Sequence, residues 1–153
     1  MNTNRVELLR LSAADAAIDG LFKGVLAGIV MFLSLAIAGM LIGDHPAVIL
    51  SRFSPSANPS PLSGLLTHLG VSAVYGAIFG LACWIAIWRR RIGLQRRVFL
   101  AAGLAYGLAL WLLAQLIILP GTGSSIAEFA VGSLALAHLL YGALLGLTVQ
   151  RLD

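Results

Sequence analysis

The chain is short of charge. Asp, Glu, Lys and Arg make up only 10% of its 153 residues, against about 25% in an ordinary soluble domain. It has one cysteine, Cys83, inside an apolar run. That excludes a disulfide framework, a Cys-rich zinc site and a C-x-x-C-H haem attachment. Its long apolar runs hold no ionisable group except His138, so the intramembrane Asp, Glu or Lys of ion pumps and proton relays is missing. The sequence has no H-E-x-x-H, phosphate-binding glycine loop, paired intramembrane carboxylates or Ser/His/Asp arrangement. The expectation is that the protein is not an enzyme. Its five prolines all fall outside the run interiors.

What remains is grease. Hydrophobic residues make up 59% of the chain, and the mean hydropathy is +0.96. Four apolar runs cover 24–43, 69–88, 98–120 and 129–149. Each is about 20 residues, the length that spans a hydrocarbon core as a helix. The prediction is an all-α membrane protein, one four-helix bundle, with spans at about 20–43, 65–88, 98–120 and 126–149. Segment 4–12, around "RVELLRL", reads as an amphipathic helix lying on the membrane surface. Ser12 with Asp15 resembles a capping box for the first span, and Ser125 with Glu128 one for the fourth. Asp19 and Lys23 are spaced to pair at i,i+4. "DHPAVILSRF" (44–53) allows one or two helical turns capped by Asp44. "LAIAG" (35–39) faintly resembles a signal-peptide cleavage site, but the polar residues ahead of the first run argue against one.

Arginines set the expected orientation. Of ten Lys and Arg residues, all but Arg52 lie on one side if the N-terminus is cytoplasmic. The positive-inside rule then places both termini and the loop "RRRIGLQRR" (89–97) in the cytoplasm. Trp84 and Trp88 beside that loop suit an interfacial aromatic belt. Arg89, Arg90, Arg91, Arg96 and Arg97 would attract anionic lipid headgroups, and nothing else supports nucleic-acid binding.

Small residues form a pattern. Gly20, Gly24 and Gly28 mark the first span, and Gly103 and Gly107 the third. The second and fourth each carry Tyr-Gly-x-x-x-Gly: Tyr75, Gly76, Gly80 and Tyr141, Gly142, Gly146. The chain therefore reads as two tandem helical hairpins related by an axis along the membrane normal. Glycines four apart let helix backbones approach closely. All of these fall in the cytoplasmic half, so the bundle should be tight there and looser at the outer end. Gly39, near the outer interface, should tolerate a larger side chain. Polar residues of the outer half, His68, Ser72, Gln115 and His138, are the candidate lining of a polar cavity. Several continue the glycine rows at i+4 and should face inward.

Two histidines on separate spans are the usual axial pair of a b-type haem. His68, however, lies seven residues before its Tyr and His138 three before its own. The four-residue offset is about 6 Å of depth, poor geometry for a shared iron. The plainer reading is a neutral ring hydrogen-bonded to Ser, Tyr or Gln across the bundle.

The "H-x-x-Y-G-x-x-x-G" of His138, Tyr141, Gly142 and Gly146, repeated loosely at His68, Tyr75, Gly76 and Gly80, resembles that of YagU-like four-helix proteins. The resemblance implies a protein of the bacterial inner (cytoplasmic) membrane with no assigned reaction. Two functions are therefore expected. The first is a non-catalytic accessory subunit packing with other subunits of a larger membrane complex, respiratory or photosynthetic. The second is a small-molecule site, for haem b, quinone or lipid, around His68 and His138.

Overall fold

The computed structural model describes residues 12–55, 58–90 and 96–148. Segment 4–12, apart from Ser12, and loop residues 91–95 lie outside the described residues. Those described are helical, without strands, and include four helices long and apolar enough to cross a membrane. In chain order the elements are α1 (Ala13–Leu41), α2 (Pro46–Ser51), α3 (Pro61–Arg90), α4 (Arg96–Leu113), α5 (Leu119–Thr122) and α6 (Val131–Thr148). A π-helical turn, Ala114–Ile118, joins α4 to α5, so that one span runs Arg96–Thr122. Pro120 falls inside this span, and the π turn sits where Pro120 withholds the N–H that an α-helix would aim at Leu116.

The capping box at the start of α1 is present. Ser12 N–H donates to Asp15 Oδ2 (3.0 Å) and Asp15 N–H to Ser12 Oγ (3.1 Å). Asp19 pairs with Lys23 one turn further on. The other two expected caps differ. His45, not Asp44, caps α2, its Nδ1 accepting from Ala47 N–H at 3.3 Å. No box forms at Ser125 and Glu128: Ser124 caps a 3₁₀ turn over Ser125–Glu128, and α6 begins at Val131. One residue explains both differences. Arg52 binds Asp44 through Nη1 (2.6 Å) and Glu128 through Nε (3.0 Å), and charge-assisted bonds of this kind outweigh a neutral cap. Gly43 and Gly123 end their helices at φ 94° and 60°, a left-handed conformation that glycine adopts without strain.

Glycines set the packing. α1 runs along α3, α4 along α6, and α1 also meets α6. Along the first pair, Ala16, Gly20 and Gly24 oppose Gly80, Gly76 and Ser72. Along the second, Phe99, Gly103 and Gly107 oppose Gly146, Gly142 and His138. Rising numbers meet falling ones, so each pair is antiparallel. A Cβ on Gly76 would lie 2.3 Å from Gly20 O, and one on Gly142 2.1 Å from Gly103 O. Only backbone separates these helices, and such contact is what holds helices together in lipid. Gly39 is not the open position expected of it. It is buried, and a Cβ there would meet Ile49 of α2 at 2.7 Å. The outward faces are apolar, with Phe22, Leu62 and Leu116 each more than 60% exposed, as lipid contact allows.

Candidate functional site

The end of the bundle that carries α2 and the turn at 123–130 is built differently from the glycine end. Larger side chains hold the helices apart there, and a cavity of about 650 Å³ opens between them. α3 and α4 flank it but make few close approaches to each other. Met31, His68, Ser72, Leu110, Ala114 and His138 are among its walls, and Ser54, Pro55 and residues 122–126 form its loop-end rim. Of the four residues expected to line a polar cavity, His68, Ser72 and His138 do so. Gln115 is half-buried in the π turn and is not among the lining residues.

His68 is 6% exposed, and its Nε2 lies 2.9 Å from Gly28 O on α1. Glycine at 28 leaves that carbonyl open to a side chain from the neighbouring helix. Phe53 lies over the ring at 4.7 Å between centroids, and Phe32 is at 6.1 Å. His138 Nδ1 lies 2.8 Å from Leu134 O, one turn back on its own helix. This corrects the expectation that His138 bonds Ser, Tyr or Gln across the bundle. A ring at i finds the i−4 carbonyl within reach, and that nearer acceptor wins.

Tyrosines make the cross-bundle bonds instead. Tyr141 is 2% exposed and donates its hydroxyl to Ser72 O at 2.6 Å. Tyr106 donates to Tyr75 O at 2.8 Å and stacks near Phe79 at 5.1 Å. Both bonds tie a helix of the second pair to α3. Sequence reasoning took the Tyr-Gly pairs for glycine packing and missed this. The available signal was a hydroxyl beside a flat glycine face, which a buried tyrosine must satisfy.

Arg52 caps the loop end, and sequence reasoning used it only in counting charges. Its guanidinium lies 4.9 Å over Phe129, and its carbonyl accepts from Ser125 Oγ at 3.4 Å. Burial works against its charge, but the hydrogen bonds and fields of Asp44 and Glu128 more than compensate and hold Arg52 above its ordinary pKa. The signal was there to read: Arg52 is the one cation between the first two spans.

The donor set does not suit a bis-histidine haem. His68 turns the nitrogen at the tip of its ring into α1. The helix contacts pair Gly24 with Ser72 and Gly107 with His138, which leaves His68 a turn nearer the loop end than the counterpart of His138. Among the described residues, no three His, Cys, Asp or Glu side chains gather where they could hold a metal. The chain matches no family model, no curated protein and no solved structure.

Proposed function

We propose that this is a multi-pass membrane protein that holds a small apolar molecule in its loop-end cavity. The cavity carries the reading: about 650 Å³ lies within the range of small-molecule sites, which are mostly apolar with a few convergent polar groups. Met31, Leu110, Ala114 and Leu134 supply the apolar wall, and His68, Ser72 and His138 the polar points. In this reading the chain is two tandem hairpins, α1 with α3 and α4 with α6. The termini and the arginine-rich loop are cytoplasmic, and the cavity faces the outer leaflet of a bacterial inner membrane. The parallel contact registers of the two helix pairs support the duplication, and the charge asymmetry supports the orientation.

The accessory-subunit reading rests on the exposed apolar faces, which lipid covers equally well. The test is the protein purified in mild detergent, with its native mass read beside a solvent extract. A single chain releasing an apolar molecule in stoichiometric amount is the expected result. A stable larger assembly with an empty extract would favour the subunit reading. For orientation, Ser56→Cys should react with an impermeant thiol reagent on sealed cells and Gln95→Cys should not; the opposite pattern overturns the assignment.

A further inference from the structure

Resting on that reading, we infer that the cavity recognises a hydrogen-bond donor: the hydroxyl of a lipid-phase alcohol, phenol or quinol, rather than a carbonyl, ether or quinone. The inference comes from where the histidine protons are. A backbone carbonyl can only accept. His68 Nε2 at 2.9 Å from Gly28 O and His138 Nδ1 at 2.8 Å from Leu134 O must therefore both carry hydrogen. A ring buried among apolar groups, with no carboxylate in the cavity wall, is neutral and has one proton to place. Each ring is thus left with a lone pair and no proton: Nδ1 on His68 and Nε2 on His138. No hydrogen bond occupies either nitrogen among the described residues.

Hydroxyls of the wall lean the same way. Tyr141, Thr122 and Ser125 each donate to a carbonyl, those of Ser72, Ile118 and Arg52 respectively. Their protons are committed and their lone pairs remain. Tyr75, Thr67 and Ser72 also line the cavity, and a free hydroxyl can turn to serve either kind of partner. The fixed groups are therefore acceptors and the adjustable ones neutral in preference. A guest whose polar end is a carbonyl would leave both imidazole lone pairs unpaired, a cost that sites built for a donor exploit to reject its absence.

Two probes isolate this feature. 4-Dodecylphenol and 4-dodecylanisole share an apolar body and differ by the methyl group that removes the donor. Their binding is measured by native mass spectrometry from detergent micelles, for the wild type, His138→Leu, His138→Gln and His68→Leu. Comparing the phenol-to-ether ratio between variants cancels micelle partitioning. The wild type should prefer the phenol by about fivefold or more, the yield of one net hydrogen bond. The preference should disappear in His138→Leu and return in part in His138→Gln, whose carbonyl accepts. Equal binding of both probes by the wild type would overturn the donor inference while leaving a binding cavity. A preference unchanged in both His138→Leu and His68→Leu would overturn it too. Binding of neither probe would overturn the small-molecule reading itself.

Discussion

The two ends of this bundle obey opposite rules. At the glycine end, α1 meets α3 and α4 meets α6 with no side chain between them: Gly20 faces Gly76, and Gly103 faces Gly142. At the loop end Phe32, Phe53, His68 and Phe129 pack ring against ring, and a cavity opens beside them. One end trades volume for backbone contact. The other keeps volume, and Arg52 ties its loops together by pairing with Asp44 and Glu128. A chain this apolar gains little from hydrophobic burial within a bilayer, since lipid is as apolar as its leucines. Close backbone contact at one end can therefore hold an opening at the other. The proposed binding site belongs to the open end because the closed end has no room for one.

The largest effect should come from breaking the closed end. Gly76→Leu or Gly142→Leu places a branched side chain where backbone already lies within 2.5 Å of a Cβ. Neither strand of backbone can yield, so the loss should exceed the ~1–3 kcal/mol typical of an overfilled core. Gly70 has open space within 4 Å, and Gly70→Leu should melt in detergent like the wild type. Equal melting temperatures for all three variants would dissolve the distinction between the ends. Gly39 cannot serve as a neutral control, because a Cβ there would meet Ile49.

Next comes the Arg52 pairing. Arg52→Leu removes both ion pairs and the contact over Phe129, and strands the part-buried Asp44 carboxylate. A loss of about 2 kcal/mol is expected, below the ~3–5 kcal/mol for a fully buried pair because Glu128 is exposed. A double-mutant cycle with Asp44→Asn should show coupling between the two residues; additive losses would mean that the pair carries no joint energy. A smaller effect belongs to Tyr141→Phe, which leaves the ring in place and deletes the bond to Ser72 O. About 1 kcal/mol should be lost, and thermal melting that matches the wild type would deny that this bond ties α6 to α3.

Least of all should be His138→Gln and His138→Leu. The ring bonds a carbonyl of its own helix, so both variants should melt within about 0.5 kcal/mol of the wild type, like substitutions away from structural networks. A large loss in the leucine variant alone would show that His138 holds the bundle together, and would weaken its reading as part of a binding wall.

Much of the closed end was legible in the sequence, and little of the open end was. Apolar runs of about 20 residues give helices long enough to cross a membrane, and glycines at i+4 on such a helix form a flat ridge. Those features are local, so the four spans and the Gly20–Gly76 type of contact followed directly. Ser12 and Asp15 were readable for the same reason, since a capping box is complete within four residues. The open end depends on partners far apart in the chain. Glu128 accepts from Arg52 instead of closing a local cap with Ser125. Tyr141 finds a carbonyl of α3. His68 reaches Gly28, and His138 settles on Leu134. No periodicity announces such choices, because each depends on which helix lies alongside. Gln115 shows the converse: its place in the glycine row suggested a cavity position, and the π turn before Pro120 re-aims the residues of that segment.

The most direct test of the account fills the cavity without touching the glycine end. Ala114 lines the cavity from the π turn and is only half-buried, so Ala114→Trp should occupy the space at small cost to the fold. Binding of 4-dodecylphenol to this variant and to the wild type is the measurement. Binding should fall at least about tenfold, with a melting temperature close to that of the wild type. Undiminished binding by a folded Ala114→Trp protein would contradict the account, because the molecule would then be held somewhere other than the open end of the bundle.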